Sequence, residues 1–315
     1  MLQNSYFTKS EISFGLPNYF VIESTNFCNL KCIMCPYSSM TRKKEHMDWL
    51  LYKNIIDQIY TFADFVWLHM FSEPLLNPKI FDMIKYAKEK KIRIGLSTNA
   101  TLLNKFNSLA LLESNPDILI ISMDGTSKET YEKIRVGSDF NKVSKNISEF
   151  DVLQKKFRRN TKTVLQIIKM KRTEIEIDDF VEKWKSSSFT KIKVKNLHSY
   201  ASQINLKEIR RINRDKNEKI CYEPWLGMSI LSNGNVVPCC NDYDSQMILG
   251  NLKKEKVLEV WNSFKMRNFR NTFLGDYDKR NKICKSCNVP CTNKDIINEK
   301  NPFRSYEYQL KNYVY

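Results

Sequence analysis

The chain has 315 residues and a formal net charge of +16, from 51 Lys and Arg against 35 Asp and Glu. Hydrophobic residues make up 42% and charged residues 27% of it, which excludes a disordered or fibrous protein. No apolar run approaches the roughly 18–20 residues of a membrane span, and the N-terminus carries no export signal. The composition predicts a cytoplasmic globular protein with one large domain and one small one.

The excess of basic residues favours an anionic partner such as a nucleic acid, a phosphorylated metabolite or an acidic peptide. The lysines and arginines are spread widely, without the aromatic–basic clusters of RNA-binding proteins, so nucleic acid is not expected as a partner. A solvated, lysine-rich surface is the preferred interpretation of the charge. A phosphorylated or nucleotide-linked substrate is a further hypothesis, which salt-insensitive substrate binding would exclude.

Short β-rich runs alternate with longer helical patterns in the first part of the chain. Strands are predicted at Tyr19–Glu23, Phe65–Met70, Ile92–Ser97, Ile118–Ser122, Thr163–Met170 and Lys191–Lys195. Helices are predicted at Asp48–Tyr60, Pro78–Lys90, Leu102–Glu113 and Lys142–Gln154. This alternation predicts an α/β fold, a partial (β/α)6 TIM-like barrel with its function at the C-terminal strand ends. The alternation of strands and helices alone is also compatible with a doubly wound sheet.

A small hairpin-plus-helix domain is predicted after the barrel. Its hairpin strands are Gly227–Leu231 and Asn235–Pro238, turned at Asn233-Gly234, and an amphipathic helix follows at Val257–Phe273. The predicted organisation is an N-terminal extension (1–18), the barrel (19–204), a polar linker (205–220), the small domain (221–291) and a C-terminal tail (292–315).

Nine cysteines fall in two groups, and none lies between Cys35 and Cys221. In a reducing cytosol, metal binding explains such groups better than disulfides. The first group, Cys28, Cys32 and Cys35, follows the first predicted strand directly. Three thiolates on one loop can hold three irons of a [4Fe-4S] cluster and leave the fourth iron open. The alternative is a zinc knuckle completed by a distant residue.

The C-x3-C-x2-C spacing of this group resembles the signature of the radical S-adenosylmethionine (SAM) superfamily. The resemblance implies that the open iron chelates SAM and that an electron from the cluster cleaves it to a 5′-deoxyadenosyl radical. A flavodoxin or ferredoxin is the implied reductant.

Three segments at successive strand ends add to this resemblance. Phe71-Ser72-Glu73-Pro74 is similar to the family's GGEP motif, with both glycines replaced, Ser97-Thr98-Asn99-Ala100 is similar to a segment near the SAM ribose or carboxylate, and Ser122-Met123-Asp124-Gly125 is similar to the SxDG element. The resemblance implies SAM-binding roles for Met34, Ser72, Glu73, Ser97, Asn99, Ser122, Asp124 and Arg135.

The second cysteine group flanks the predicted hairpin and the helix after it. With the motifs Pro224-Trp225, Pro238-Cys239-Cys240, Gly250-Asn251-Leu252 and Trp261-Asn262, it resembles the SPASM or twitch extension of radical SAM enzymes. The spacing resembles the twitch type, which is known from an oxidase of an aminocyclitol alcohol. The resemblance implies one auxiliary [4Fe-4S] cluster on Cys221, Cys239, Cys284 and Cys287. Cys240 and Cys291 are too few for another cluster, and a four-cysteine zinc ribbon is the alternative.

Two residues beside Cys239 are the candidate catalytic groups. Cys240 is preferred as a packing thiol, and its alternative role is the hydrogen-atom donor that an epimerase needs. Asp242 is a candidate base for an oxidation. The three histidines show no metal spacing, and His69 at the second strand's end is either a strand histidine or a residue lining the site.

Three functions stay open from the sequence. The preferred one is the oxidation or epimerisation of a small polar molecule such as a sugar or cyclitol. The second is modification of a ribosomally made peptide. Only 27 residues precede Cys28, too few for a peptide-recognition domain fused there. Peptide modification is therefore expected to need a separate recognition protein. The third is a zinc-stabilised binding module without redox activity. The expected partners are therefore a small-molecule or peptide substrate and a reductant.

Overall fold

The computed structural model describes residues 10–157, 160–197, 199–201, 203, 221, 223–275 and 279–287. The predicted linker (205–220), the tail (292–315), His198 and Cys291 lie outside these residues. The six strands predicted for the barrel are all confirmed, with ends shifted by at most a few residues. They are β1 (Tyr19–Ile22), β2 (Phe65–Trp67), β3 (Arg93–Thr98), β4 (Ile118–Ser122), β5 (Lys162–Lys169) and β6 (Lys191–Asn196).

Helices connect the parallel strands and cover the outer face of the sheet. They are α1 (Trp49–Ile59), α2 (Ile80–Glu89), α3 (Lys105–Ser114), α4 (Lys128–Ile134), α5 (Phe140–Phe157) and α6 (Ile177–Trp184). Several begin at an Asp, Asn or Ser whose side chain accepts a hydrogen bond from the first turn, as at Asp48, Asn104 and Ser127. The sequence missed α4 and α6, which are only two turns long.

The main hydrophobic core lies between the sheet and these helices. A second apolar cluster lies on the inner face of the sheet, where Tyr19, Val21, Phe65, Trp67 and Ile118 pack together. Side chains from β1, β2 and β4 can meet on one face because the sheet curls around it. The predicted partial barrel is thereby confirmed, and its inner space is called the lumen below.

The predicted hairpin extends the barrel sheet instead of forming a sheet of its own. Its strands are β7 (Gly227–Ile230), β8 (Asn235–Val237) and β9 (Gly250–Asn251). The nine strands have the order β6-β5-β4-β3-β2-β1-β7-β8-β9, with β7 parallel to β1. A Cβ at Gly227 would lie 2.1 Å from the Tyr19 carbonyl oxygen, so this close pairing requires glycine. Gly234, with φ of +86°, turns the hairpin.

The single helix predicted over Val257–Phe273 is wrong, because two helices occupy that stretch. They are α8 (Val257–Trp261) and α9 (Phe264–Leu274), and the short α7 (Glu223–Leu226) and α10 (Lys282–Ser286) lie before and after them. The break follows from Asn262, whose side chain exchanges hydrogen bonds with the Ser13 backbone, and from Ser263, which caps α9.

A buried arginine holds the N-terminal segment, α7 and α8 together. Arg270 donates to the carbonyls of Pro224, Trp261 and Glu11, and its guanidinium lies 4.3 Å from the centre of the Trp261 ring. The motifs Pro224-Trp225 and Trp261-Asn262 therefore serve packing around Arg270. Among the helices described, none is long and apolar enough to cross a membrane.

Substitution of Arg270 tests this packing centre. We expect Arg270→Met to lower the free energy of unfolding by at least about 2 kcal/mol, because the buried carbonyls of Pro224 and Trp261 lose their donor. Thermal unfolding of the anaerobic protein measures it. The matched control is Lys142→Gln at an exposed position of α5, which should unfold like the wild type. An Arg270→Met variant as stable as the wild type would contradict this role.

Candidate functional site

The first cysteine group lies on the loop that leaves β1 at the C-terminal edge of the sheet. This loop is fixed by backbone hydrogen bonds, 2.9 Å from Lys31 N to Val136 O and 3.0 Å from Ile33 N to Ile134 O. The Tyr37 hydroxyl accepts a 3.0 Å hydrogen bond from the Cys28 amide. The loop is therefore held rigidly against the segment that carries Arg135.

The three thiols of this loop lie at one apolar cluster, where Cys32 is buried and Cys28 and Cys35 are half-buried. Burial raises the pKa of Cys28 to about 11 and that of Cys35 to about 12, and the neighbouring Cys32 contributes to both. Cys32 is only 8% exposed. Within the described ranges no three His, Cys, Asp or Glu side chains surround a single metal-ion position. Three soft thiol donors on one loop suit a multi-iron cluster, which spreads its ligands over several metals.

Arg135 lies between a cluster thiol and a buried carboxylate. Its Nη1 is 3.9 Å from Cys32 Sγ, and its Nε donates to Asp124 Oδ2 at 2.7 Å. The other oxygen of Asp124 accepts a 2.6 Å hydrogen bond from the Ile168 amide. Asp124 is fully buried, and both of its carboxylate oxygens accept hydrogen bonds from protein groups. The carboxylate therefore orients Arg135 beside the cysteine loop. The predicted direct contacts of Asp124 and Arg135 with SAM stay predictions.

Met34, predicted to lie beside the adenine, belongs to a small apolar cluster behind the cysteine loop. Its buried neighbours there are Leu30, Ile134, Ile168, Met170 and Leu197. Leu30 lies on the cysteine loop, Ile134 at the end of α4 and Ile168 in β5. Met170 and Leu197 directly follow β5 and β6. They supply an apolar wall next to the thiols, which is the environment that an adenine ring and an oxygen-sensitive cluster both require.

Glu73 crosslinks the ends of β2 and β3. Its carboxylate accepts hydrogen bonds from Thr98 Oγ1 at 2.8 Å, from the Asn99 amide at 2.7 Å and from the Leu75 amide at 3.1 Å. Burial raises the pKa of Glu73 to about 7, while these donors lower it. Its own amide donates to Phe27, next to the cysteine loop, so Glu73 positions both segments.

The neighbouring Ser72 carries a buried hydroxyl without a hydrogen-bond partner among the described residues. A buried polar atom of this kind calls for a ligand or a water. It lies in the segment predicted to receive the SAM amino group. The residues present therefore fit SAM and a cluster at this edge: three grouped thiols, an apolar wall and an unsatisfied polar atom.

The remaining predicted SAM residues also lie at this edge. Ser97 and Ser122, at the ends of β3 and β4, have their hydroxyl oxygens 3.4 Å apart. The Asn99 side chain donates to Asn29 Oδ1 at 3.1 Å and accepts from Thr101. The structure thus gathers all eight predicted residues at the C-terminal strand ends, and their contacts with SAM stay predictions.

Cys239 lies within electrostatic range of Cys284, and Cys284 of Cys287, so the structure brings three of the four predicted auxiliary cysteines together from two segments. Burial raises the pKa of Cys239 well above its usual value, and the charges of Cys240, Glu223 and Cys284 add to that effect. Burial likewise raises the pKa of Cys284 to about 11, with Cys287 contributing. None of the eight cysteines in the described part of the chain forms a disulfide. These three thiols fit part of a cluster's ligand set. Cys221, which borders the main core as Cys284 does, stays a predicted fourth ligand.

The two candidate catalytic residues differ in their surroundings. Asp242 is fully buried, and its oxygens accept hydrogen bonds from the amides of Gln246 at 2.7 Å and Met247 at 2.9 Å. This geometry favours a role in shaping the turn after Cys239 over the predicted role as a base. Cys240 is exposed and lies within electrostatic range of Lys195 on β6. Their predicted roles stay untested predictions.

A second buried ion pair, which the sequence reasoning missed, joins the two cluster regions. Arg42, after the cysteine loop, binds Glu23 through two hydrogen bonds of 3.0 and 2.6 Å. Arg42 Nε also donates to the Tyr243 carbonyl at 2.7 Å, next to the auxiliary cysteines. Asp244 accepts from the Thr41 hydroxyl at 2.7 Å. The two loops are thereby fixed relative to each other.

Glu73→Gln tests the crosslink at the SAM edge. The Gln side chain has one acceptor oxygen, and its NH2 group would face one of the donors that now bind the carboxylate. At least one hydrogen bond worth about 1–3 kcal/mol is therefore lost. We expect the SAM affinity of the reconstituted enzyme to fall about tenfold, measured by equilibrium binding. Glu89→Gln at the end of α2 is the matched control. Unchanged SAM affinity in Glu73→Gln would contradict the assigned position.

Family models match both parts of the chain. The radical SAM superfamily model matches residues 22–184, just over half of the chain. The model of the SPASM iron–sulfur cluster-binding domain matches residues 221–288. These ranges contain every predicted cluster ligand.

Among curated proteins, the S-adenosyl-L-methionine-dependent 2-deoxy-scyllo-inosamine dehydrogenase of Niallia circulans is 24% identical over 275 residues, covering 85% of this chain and 91% of that protein. The tungsten-containing aldehyde ferredoxin oxidoreductase cofactor-modifying protein of Pyrococcus furiosus is 32% identical over 108 residues. That match covers 34% of this chain and only 30% of the P. furiosus protein.

Solved structures share the fold. BtrN in complex with AdoMet and 2-DOIA has a TM-score of 0.62 at 20% identity, covering 87% of this chain and 94% of that one. Streptococcus suis SuiB bound to precursor peptide SuiA has a TM-score of 0.69 at 17% identity, covering 95% and 77%. At these identities the similarity concerns the fold alone.

Proposed function

Because this chain belongs to the radical SAM superfamily and carries a SPASM domain, we propose that it cleaves SAM reductively to a 5′-deoxyadenosyl radical and uses it to oxidise a sugar- or cyclitol-like substrate. The observation that carries the substrate class is the similarity to the inosamine dehydrogenase, which covers 85% of this chain and 91% of that protein. The alternative reaction is the epimerisation of the same kind of substrate.

The residues around the first cysteine group serve the cleavage of SAM. Cys28, Cys32 and Cys35 would hold the [4Fe-4S] cluster, which when bound would supply an open iron for SAM and the electron for its cleavage. Arg135, fixed by Asp124, supplies a positive charge beside Cys32. A cation beside a cluster thiol changes the reduction potential, so this ion pair is suited to tuning that first electron transfer.

The second half of the reaction concerns the substrate. Removal of a hydrogen atom from a carbinol carbon leaves a substrate radical, which becomes a carbonyl when it loses one electron and one proton. A saturated cluster on Cys221, Cys239, Cys284 and Cys287 is suited to accept that electron. The Arg42–Glu23 pair fixes the two cluster loops relative to each other.

Substitution of Cys240 separates oxidation from epimerisation. An oxidation needs no hydrogen-atom donor, so Cys240→Ala should form the carbonyl product as fast as the wild type. The assay incubates reconstituted enzyme, SAM and reductant with a panel of cyclitols and sugars, and measures 5′-deoxyadenosine and product by mass spectrometry. A variant that still makes 5′-deoxyadenosine but no product would favour the epimerase. Turnover of peptides alone would overturn the small-molecule proposal and favour a maturase.

A further inference from the structure

Three aromatic side chains join the SAM edge of the barrel to the SPASM domain. The ring of Phe71 contacts the ring of Tyr200 at 5.2 Å and that of Tyr243 at 5.8 Å between ring centres, both edge-on. Phe71 directly precedes Ser72, Tyr200 follows the end of β6, and Tyr243 is the third residue after Cys240. The three rings, called the aromatic wall below, therefore connect both cysteine regions at the C-terminal edge of the lumen.

The backbone at Tyr200 is strained and is held by the SPASM domain. Tyr200 and Ala201 have φ of +47° and +60°, in the left-handed region that bulky residues rarely adopt. Ser286 Oγ donates to the Ala201 carbonyl at 2.5 Å, and Gln203 Nε2 donates to the Asn241 carbonyl at 2.7 Å. Strain that surrounding hydrogen bonds maintain in this way is typical of functional sites.

The aromatic wall keeps open surface and an available hydroxyl. Phe71 and Tyr200 are half-buried, whereas Tyr243 is buried. The Tyr200 hydroxyl has no hydrogen-bond partner among the residues that the structure describes. Desolvation raises the pKa of Tyr200, and the charges of Cys35 and Cys240 add to this effect. The phenol therefore stays neutral and can both donate and accept a hydrogen bond.

The position of the aromatic wall matches what the proposed reaction requires of its substrate. The substrate has to lie close to the SAM edge for hydrogen-atom removal and close to the auxiliary cysteines for electron transfer. Tyr200 lies within electrostatic range of Cys35 in the first group and of Cys240 beside the second. Aromatic side chains with a few placed polar groups are the usual lining of small-molecule sites.

We infer that the aromatic wall binds the ring of the substrate, with the faces of Phe71 and Tyr200 packed against its C–H groups and the Tyr200 hydroxyl bound to one of its hydroxyl groups. A flat aromatic face suits the apolar side of a saturated ring. A neutral hydroxyl that donates and accepts matches another hydroxyl. This inference rests on the proposed function, since it assigns the site of the sugar- or cyclitol-like ring.

Direct binding of neutral polyols tests the aromatic wall. Isothermal titration of scyllo-inositol, myo-inositol and D-glucose into SAM-saturated, anaerobically reconstituted holoenzyme should give one site per chain for at least one of them. Tyr200→Phe removes only the hydroxyl and should weaken that binding about threefold to tenfold. Tyr200→Leu also removes the aromatic face and should weaken it further. Tyr60→Phe, at an exposed tyrosine after α1, is the matched control and should bind like the wild type.

The possible outcomes separate this inference from the proposed function. Iron content and thermal unfolding first show that each variant is loaded and folded, and Tyr200→Phe keeps the ring contacts if Tyr200→Leu does not fold. Holoenzyme that cleaves SAM but binds none of the three polyols overturns the inference alone. Tyr200→Phe binding as tightly as the wild type does the same. Loaded protein that binds a polyol through Tyr200 but never cleaves SAM overturns the proposed function and leaves the ring-binding site standing.

Discussion

Replacement of Cys28, Cys32 and Cys35 by alanine is expected to abolish 5′-deoxyadenosine formation from SAM. The three thiols lie together on one loop at the C-terminal strand ends, against a single apolar cluster. Without them no iron is left to chelate SAM or to deliver an electron. The measurement is anaerobic incubation with dithionite and SAM, followed by chromatography of the nucleoside product.

The matched control for this experiment is Cys240→Ala, which removes an exposed thiol outside both predicted ligand sets. It should form 5′-deoxyadenosine at the wild-type rate. Residual SAM cleavage by the triple variant would contradict the assignment of these thiols as the ligands of the SAM-cleaving cluster.

Asp124→Asn is expected to have the largest effect on stability of any single substitution at the site. It leaves the Arg135 guanidinium buried without its counter-charge, and breaking a buried ion pair in this way costs about 3–5 kcal/mol. The displaced guanidinium would also lose its position beside Cys32, so 5′-deoxyadenosine formation should fall. Thermal unfolding of the anaerobic protein and the SAM-cleavage assay measure the two effects.

An exposed ion pair on the barrel surface provides the comparison. Glu129→Gln removes the partner of Lys133 on α4, where both side chains are more than half exposed. Its effect should stay within about 0.5 kcal/mol, since surface pairs contribute little. If Asp124→Asn were no more destabilising than Glu129→Gln, the Asp124–Arg135 pair could not be the element that fixes the site.

The sequence predicted β1 to β5 well because their apolar runs are largely buried on both faces and end at short polar motifs. It also located the cysteine groups, since their spacing is local. It failed where a distant residue decides the local structure. The helix break at Asn262 depends on Ser13, far away in the sequence.

The ion pairs that shape the site were equally inaccessible to sequence reasoning. Arg42 could have paired with many acidic residues, and only the folded chain brings it to Glu23. Asp124 and Arg135 were both found as motif residues, yet their pairing with each other was not. The lysines of β6 did leave a signal, because Lys-Ile-Lys-Val-Lys alternates with a period of two. The pattern shows that one face is basic, but only the packing of Ile192 and Val194 in the outer core shows that the basic face is the inner one.

The most direct test of the central claim, a SAM-cleaving cluster plus one auxiliary cluster, is the iron and sulfide content of reconstituted wild type and of the Cys28→Ala/Cys32→Ala/Cys35→Ala variant. Two [4Fe-4S] clusters predict about eight irons per chain in the wild type and about four in the variant. About twelve irons in the wild type would contradict the single auxiliary cluster. Bound zinc, or about four irons that the variant loses completely, would show that the C-terminal cysteines hold no iron–sulfur cluster.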